Sequence, residues 1–363
     1  MENNVYKNGE YVFTVSDEIL FADRSKEKRS GHLGHALVEY EKGKVLAFYP
    51  NCSGEKWSGH NACGWAEYKR SLDGGKTWGE AEFYPFSKTL YDLGISVYSS
   101  CEKAVLAKNG DIIAFNFICD LIDNDDCGYE PFRIPSYCVS HDKGKTWSAP
   151  VKIGAKRGRI YDARVFDGDI YVLLHYAVNS VDRTLPTEYH LFKSTDDGKT
   201  FSDISTLPFA PDPSYCRYYG TMAVIDGGKM IAYSYMDDGK TDRFDYSISA
   251  DGGVTWSKPA EAYFAKQMRN PQLIKFKNSY FMFGRSGSHG GERMGHNIMY
   301  FSKDGINWDE GRYLKMRTCG AGAYSNVIVV HDGERERLLL QMSYAYEQHR
   351  TNVYHWFIDA EKI

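Results

Sequence analysis

Short runs of apolar or alternating residues, bounded by glycine-bearing turns, recur along the whole chain. Three examples are HALVEYEKGKVLAFYP from His35, DIIAFNFI from Asp111 and KMIAYSYM from Lys229. Runs of this length, rich in aromatic and β-branched residues, predict β-strands rather than helices. Where two runs flank a short glycine-containing turn, they predict an antiparallel hairpin. The pattern therefore indicates an all-β protein.

One turn phrase occurs five times after such hairpins. Its copies are SLDGGKTW at 71–78, SHDKGKTW at 140–147, STDDGKTF at 194–201, SADGGVTW at 249–256 and the shortened SKDGINW at 302–308. The Asp and Gly suit a tight turn, and the Asp, Ser and Thr side chains can bond to backbone amides. The closing Trp or Phe can fill the hydrophobic layer beside the turn. Each phrase therefore predicts a hairpin turn with an aromatic anchor.

The repeat predicts a propeller. The copies start 69, 54, 55 and 53 residues apart, a period typical of stacked supersecondary units. Strand, turn, strand, turn phrase, strand is a four-stranded antiparallel blade. Five blades are predicted to start near His32, Val97, Arg159, Tyr218 and Met268. The segment from Gly322 onwards supplies three more strands, and residues 10–16 could add the fourth. We expect residues 1–363 to form a single six-bladed β-propeller, closed by the N-terminal strand joining the last blade.

The composition argues against two classes of binding partner, nucleic acids and membranes. The chain has 363 residues, 44 Lys and Arg against 48 Asp and Glu, and a formal net charge of −4. No basic surplus exists to neutralise a phosphate backbone, so we expect no nucleic-acid partner. No apolar run approaches the roughly 20 residues that cross a bilayer, so no membrane partner is expected either. The start of the sequence resembles no signal peptide, which predicts a cytoplasmic protein.

Cysteine and glycine patterns indicate no cofactor. The eight Cys are scattered without C-x-x-C pairs, which predicts reduced thiols and no metal site. The glycine-rich SGSHGGER stretch at 286–293 precedes no predicted helix, so it does not predict a phosphate-binding loop. We therefore expect neither a cofactor nor a metal ion.

Candidate site residues follow from the architecture. The inner strand of each propeller blade lines the axis, so the first residues of the six inner strands should converge at one mouth. This ring of positions is more polar than packing requires. Its members are His32 and His35, Glu102 and Lys103, Tyr161, Asp162 and Arg164, Arg217, Tyr218 and Tyr219, Arg269, Asn270 and Gln272, and Tyr324.

The phrase S-x-D-x-G-x-T-W resembles the Asp-box of the sialidase superfamily, and five copies extend the resemblance over nearly the whole chain. In that family a Tyr nucleophile lies on the last blade in a context similar to GAYSNV around Tyr324. Three Arg residues hold the substrate carboxylate, since a planar guanidinium grips it bidentately. The resemblance thus implies catalysis by Tyr324 and carboxylate binding by Arg269, Arg285 and Arg293.

The chain departs from the family at three places. The family's blade-one FRIP motif is replaced by HLGH, and a literal FRIP stands instead at 132–135, on blade two. No Asp occupies the expected acid position in NCSGEKWSGHNACGW, where Glu55 and His60 are the candidates. Blade four opens with Tyr218 and Tyr219 where the family has an activating Glu. We therefore predict Glu102 and His60 as catalytic groups beside Tyr324.

Three functions fit these residues. The first is an exo-acting glycoside hydrolase of sialidase type on a sialic or related nonulosonic acid, with Arg164, Tyr219 and His32 as further substrate-binding residues. The second is a polysaccharide lyase or uronic-acid-active enzyme in which His and Tyr move protons. The third is a propeller that binds glycans without turnover. All three predict an acidic carbohydrate as the partner.

Overall fold

The computed structural model describes residues 5–53, 63–121, 131–178, 187–209, 216–237, 242–286, 295–316, 318–319, 324–348 and 350–363. Over these residues the protein is all-β, with six antiparallel sheets and a single short α-helix. The sheets are the six blades of a β-propeller, which confirms the fold class predicted from the repeat.

The N-terminal strands and the first three blades follow in chain order. The N-terminal strands are β1 (Val5–Lys7), β2 (Tyr11–Val15) and β3 (Ile19–Ala22). Blade 1 contains β4 (Arg29–Ser30), β5 (Ala36–Glu41), β6 (Lys44–Ser53), β7 (Gly64–Ser71) and β8 (Glu82–Phe83), and α1 (Pro85–Asp92) follows it. Blade 2 contains β9 (Val97–Leu106), β10 (Ile112–Asp120), β11 (Ser136–Ser140) and β12 (Val151–Lys152). Blade 3 contains β13 (Gly158–Phe166), β14 (Asp169–Tyr176), β15 (Glu188–Ser194) and β16 (Ser202–Thr206).

The last three blades repeat the pattern. Blade 4 contains β17 (Cys216–Val224), β18 (Met230–Asp237), β19 (Asp242–Ser249) and β20 (Ala260–Ala262). Blade 5 contains β21 (Met268–Phe276), β22 (Ser279–Ser286), β23 (Asn297–Ser302) and β24 (Arg312–Lys315). Blade 6 contains β25 (Ser325–Asp332), β26 (Arg335–Glu347) and β27 (Arg350–Lys362). The outer strand of blade 6 is β2, which pairs antiparallel with β27 from Tyr11 opposite Lys362 to Val15 opposite Ile358.

The hydrophobic core is divided among the interfaces between neighbouring blades. Each interface is a layer of buried aliphatic and aromatic side chains from two facing sheets, such as Ile113 and Phe115 of blade 2 against Ile170 and Val172 of blade 3. The closing aromatic residue of each turn phrase packs at the interface with the preceding blade. These residues are Trp78, Trp147, Phe201, Trp256 and Trp308. The phrases thus lock each blade to the one before it.

The hydrogen bonds of the phrase explain its residue types. In the first copy, Ser71 Oγ donates to Asp73 Oδ1 at 2.7 Å and accepts from the Gly75 amide at 2.8 Å. The amide of Thr77 donates to Asp73 Oδ1 at 2.9 Å, and its hydroxyl donates to Asp73 Oδ2 at 2.5 Å. The same contacts to Thr200 hold the pKa of Asp196 at about 2, below the usual carboxyl value. The Asp is therefore a structural acceptor that organises the turn.

Blade 6 has no turn phrase, and Phe13 of β2 fills the corresponding layer. Its ring is fully buried between blades 5 and 6. Its centroid lies 5.2 Å from that of Phe281 and 5.8 Å from that of Phe301. Aromatic pairs at such distances add to the free energy of burial. The strand from the N-terminal segment thus supplies the anchor that the last blade lacks.

Replacing Asp73 with Ala should destabilise the protein without changing its site. The variant removes the acceptor for four donors of one turn, so we expect the free energy of unfolding to fall by about 1–3 kcal/mol. Urea unfolding followed by tryptophan fluorescence measures this loss. A variant with unchanged stability would contradict the structural role of the phrase.

Six cysteines have described side chains, and all are free thiols: Cys52, Cys63, Cys101, Cys119, Cys138 and Cys319. In the described ranges, no helix has the length and apolar character needed to cross a bilayer.

Candidate functional site

Irregular pairing at the start of the inner strands shapes a cavity on the propeller axis. Tyr161 of β13 and Tyr219 of β17 each form a β-bulge, because the residues on either side pair with consecutive residues of the next strand. Glu102 of β9 lies at a third bulge, and Asn270 with Pro271 of β21 at a fourth. Bulges re-aim side chains and are common next to active sites. All of these residues line one small cavity at the centre of the propeller.

Two tyrosines face each other in this cavity. The hydroxyl oxygens of Tyr219 and Tyr324 lie 3.4 Å apart, a distance that a modest adjustment turns into a short hydrogen bond. The ring of Tyr324 packs in an apolar cluster with Leu33, Tyr98 and Phe117 and is only 6% exposed. The cluster fixes the ring while the hydroxyl meets the cavity. Tyr324 thus reaches the axial cavity from the start of the inner strand of the last blade.

Two arginines lie over the tyrosine rings. The guanidinium carbon of Arg285 is 5.2 Å from the ring centroid of Tyr324. The guanidinium of Arg269 is 5.9 Å from the ring centroid of Tyr219 and 5.5 Å from that of Tyr235. Within the described part of the chain, Arg285 forms no ion pair with a carboxylate. These cations give the cavity a strongly positive side, which favours an anionic ligand.

The positive field reaches the Tyr219 hydroxyl. Burial by itself raises the pKa of this phenol, but the charges of Arg269 and Arg285 and the bond from Tyr324 outweigh it. The net effect is a pKa below the ordinary tyrosine value of about 10. Tyr219 is therefore the phenol of the cavity that the surrounding charges favour in its ionised form.

Glu102 and Arg159 form an ion pair at the cavity wall. Nη2 of Arg159 donates to both carboxylate oxygens of Glu102, at 2.9 and 3.1 Å. The guanidinium of Arg159 also lies 4.3 Å from the ring centroid of Phe117. Glu102 was predicted from its inner-strand position, whereas Arg159 was not. The sequence could have indicated Arg159 as a site residue, because it lies two residues before Tyr161 at the start of the same strand.

A buried ionic network lies beside the cavity and joins three blades. Asp162 is fully buried and accepts from Thr221 Oγ1 at 2.9 Å and from the amide of Met222 at 3.0 Å. Its Oδ1 lies 3.0 Å from Nε of Arg164 and 3.6 Å from Nζ of Lys103. Burial lowers the pKa of Lys103 to about 8 despite the nearby Asp162 charge. The network thus connects the inner strands of blades 2, 3 and 4 to one another.

The two histidines of blade 1 lie in different surroundings. The ring of His32 meets the Tyr324 ring edge-on at 4.8 Å between centroids. His35 is buried, with Nε2 3.1 Å from the His32 carbonyl oxygen and Nδ1 2.9 Å from Nε2 of Gln341. Burial lowers the pKa of His35 to about 4, so this ring is neutral at pH 7. His35 therefore lines the cavity, while His32 reaches the site through its contact with the Tyr324 ring.

The structure brings most of the predicted site residues together. Glu102, Tyr219 and Tyr324 line the axial cavity. His32, Arg269 and Arg285 pack against the rings of its two tyrosines. It does not bring Arg164 to the cavity wall, because its Nη2 donates to the Leu273 carbonyl at 2.7 Å and its Nε faces Asp162. His60 and Arg293 lie outside the described residues.

The literal FRIP sequence does not bring its arginine to the axial cavity. Phe132 forms an isolated bridge with Cys119 of β10. Nε of Arg133 lies 2.6 Å from Oδ1 of Asp120, and both side chains are partly exposed. Together with residues of α1 they line a separate groove on the side of the propeller. Arg133 therefore takes no part in the axial site.

Over the described chain, no group of three or more His, Cys, Asp or Glu residues could hold a metal ion.

Comparisons with known proteins match the fold at low sequence identity. No family model and no curated protein matches the sequence. A protein of unknown function from Dyadobacter fermentans aligns with a TM-score of 0.72 and 17% identity, covering 96% of this chain and 99% of that one. The K499G mutant of NanB sialidase from Streptococcus pneumoniae aligns with a TM-score of 0.65 and 12% identity, covering 94% and 70%. An intramolecular trans-sialidase from Ruminococcus gnavus in complex with oseltamivir carboxylate aligns with a TM-score of 0.60 and 13% identity, covering 94% and 97%. The chain is thus similar in fold to sialidases.

Proposed function

We propose that the protein is an exo-acting glycoside hydrolase of sialidase type that acts on a sialic or related nonulosonic acid. The observation that carries the proposal is the hydroxyl of Tyr324, which faces the axial cavity 3.4 Å from that of Tyr219 while Arg285 lies over its ring.

The chemistry of the sugar explains the residue types. The anomeric carbon of a nonulosonic acid carries a carboxylate, which repels a carboxylate nucleophile, so a neutral phenol serves better. Arg285 and Arg269 would hold that carboxylate beside the tyrosines. The oxygen of Tyr324 would bond to the anomeric carbon as the bond to the leaving oxygen breaks, and the leaving oxygen would take a proton. Water would then release the sugar and return a proton to Tyr324.

The fold comparison supports the same class. NanB and the Ruminococcus gnavus enzyme are named as a sialidase and a trans-sialidase, and the latter was crystallised with a ligand named as a carboxylate. At 12–13% identity these likenesses show the fold alone. The residues of the cavity therefore carry the argument for chemistry.

Release of a fluorophore from a 4-methylumbelliferyl sialoside tests the proposal directly. We expect turnover by the wild-type protein, together with competitive inhibition by the free acidic sugar. Binding of acidic sugars without turnover of any sialoside or related nonulosonide would overturn the hydrolase and favour a glycan-binding propeller.

A uronic-acid lyase is the second candidate, and the position of His32 favours it. Its ring lies against Tyr324, so a histidine and a tyrosine that could move protons lie side by side, with Arg285 over the tyrosine ring. In β-elimination a base removes the proton next to the uronate carboxylate, and the leaving oxygen takes a proton as a C=C bond forms. A rise in ultraviolet absorbance on uronate-containing oligosaccharides, without sialoside cleavage, would identify this activity.

Arg285→Lys should weaken binding of the acidic sugar while keeping the charge. A lysine ammonium lacks the planar fork that grips a carboxylate with two parallel bonds. Loss of one such charged bond corresponds to about a 10- to 100-fold rise in the dissociation constant. The methyl ester of the same sugar is the control, and its affinity should change little. Equal losses for the acid and its ester would contradict carboxylate recognition by Arg285.

A further inference from the structure

We propose that Tyr219 is the group that takes the proton from the Tyr324 hydroxyl, so that a pair of phenols activates the nucleophile of this site. The inference rests on the proposed function, because the proton leaves in the step in which Tyr324 attacks the sugar. It assigns to Tyr219 a role different from the substrate binding expected from the sequence.

The backbone places Tyr219 for this role at some energetic cost. Its φ is +41°, a region that a bulky aromatic residue rarely adopts. Tyr219 lies at the bulge between Tyr218 and Gly220, which pair with consecutive residues of β18, and its side chain lines the axial cavity. Strain of this kind persists where the surrounding structure enforces it, and it is concentrated at functional sites. The result is a hydroxyl 3.4 Å from that of Tyr324.

The groups around Tyr219 favour its phenolate. Among the described residues, groups from blades 3, 4, 5 and 6 face it, including Arg159, Tyr161, Tyr235, Arg269, Arg285 and Tyr324. The three cations among them favour the negative form of the phenol, and burial opposes it. The cations prevail, and the pKa of Tyr219 lies below that of an ordinary tyrosine. A phenolate is an effective acceptor for a proton from a second phenol with which it is in hydrogen-bond contact.

Glu102 is less well placed for the same task. Both of its carboxylate oxygens already accept hydrogen bonds from Arg159. An ion pair of this kind stabilises the carboxylate and reduces its tendency to take up a proton. Tyr219, in contrast, makes its contact with the Tyr324 hydroxyl itself.

The proton balance closes over one turnover. The Tyr219 phenolate takes the proton of Tyr324, whose oxygen then bonds to the anomeric carbon while the leaving oxygen departs with its electron pair. The leaving oxygen takes a proton from water, and the hydroxide so formed removes the proton from Tyr219. A second water attacks the anomeric carbon, gives one proton to the Tyr324 oxygen and leaves as the hydroxyl of the sugar. One water is consumed in total.

Titration of the protein alone tests the ionisation. With ¹³C-labelled tyrosine, the Cζ resonance of each ring moves on ionisation, and we expect one resonance to move at a lower pH than the others. Tyr219→Phe should remove it, whereas Tyr263→Phe, at a surface tyrosine that is 77% exposed, should leave it in place. Absence of any such resonance, or its persistence in Tyr219→Phe, would overturn the inference.

The pH dependence of turnover tests the proton transfer. In the wild type, kcat/KM should rise with pH as Tyr219 ionises. Tyr219→Phe should lower kcat/KM by about 10²-fold at neutral pH, in the range expected for loss of a general base, and should move the rising limb to higher pH. A merely structural role would lower stability without moving that limb, so a variant with the wild-type pH profile would also overturn the inference.

The two measurements separate this inference from the proposed function. If the wild type cleaves no acidic glycoside, the hydrolase proposal fails, and the titration alone decides the inference. A low-pH resonance that disappears in Tyr219→Phe then supports the phenol pair, and its absence refutes it. If sialosides are cleaved but neither measurement changes in Tyr219→Phe, the hydrolase stands and another group activates Tyr324.

Discussion

Tyr324→Phe should lower kcat/KM for an acidic glycoside by about 10²- to 10⁴-fold while the protein remains folded. The substitution removes only the hydroxyl that faces Tyr219. The ring keeps its packing against Leu33, Tyr98 and Phe117, so the unfolding free energy should change by no more than about 1 kcal/mol. Fluorogenic sialoside cleavage and thermal unfolding measure the two quantities.

Tyr98→Phe is the matched control for this experiment. Tyr98 belongs to the same apolar cluster as Tyr324, and its hydroxyl donates to the Leu33 carbonyl at 2.9 Å. Removing that hydroxyl leaves a buried carbonyl without its donor, which should cost about 1–3 kcal/mol but spare kcat. If Tyr324→Phe keeps wild-type turnover, the Tyr324 phenol is not the nucleophile. That result would favour a glycan-binding role for the cavity.

The fold was predictable because its signals are local. Each turn phrase combines a turn, a hydrogen-bonded Asp and an aromatic anchor within eight residues, so five copies define five blades without any long-range information. The blade starts predicted at Val97 and Met268 coincide with the first residues of β9 and β21. Tyr324 and Glu102 were found in the same way, since the start of an inner strand has a fixed place in a propeller.

The contacts across blades were not predictable. Arg159 pairs with Glu102 from 57 residues away, and nothing in either local sequence specifies that distance. The bulge at Tyr219 likewise depends on how β17 meets β18, since no glycine or proline marks the position itself. Arg164 was expected at the substrate because it is a cation at an inner strand. Its neighbour Asp162 and the Leu273 carbonyl occupy its guanidinium instead.

Asp162→Ala should produce the largest loss of stability among these substitutions, about 3–5 kcal/mol. The carboxylate is fully buried, and its removal leaves the cations of Lys103 and Arg164 without their counter-charge. It also removes the acceptor for Thr221 Oγ1 and for the Met222 amide. Chemical unfolding measures the free energy, and circular dichroism checks that the variant retains its strands.

A double substitution distinguishes lost charge pairing from simple loss of packing. Lys103→Met removes one of the buried cations that Asp162 faces, at a distance of 3.6 Å. If the two charges are coupled, Lys103→Met with Asp162→Ala should be more stable than the sum of the single effects predicts, by about 0.5–3 kcal/mol. Strict additivity would show that Asp162 and Lys103 act independently, so that Asp162 stabilises the protein through its contact with Arg164 and its hydrogen bonds to blade 4. A positive coupling would instead make the buried charges the connection that holds blades 2, 3 and 4 in place, and with them the Tyr219 bulge beside the cavity.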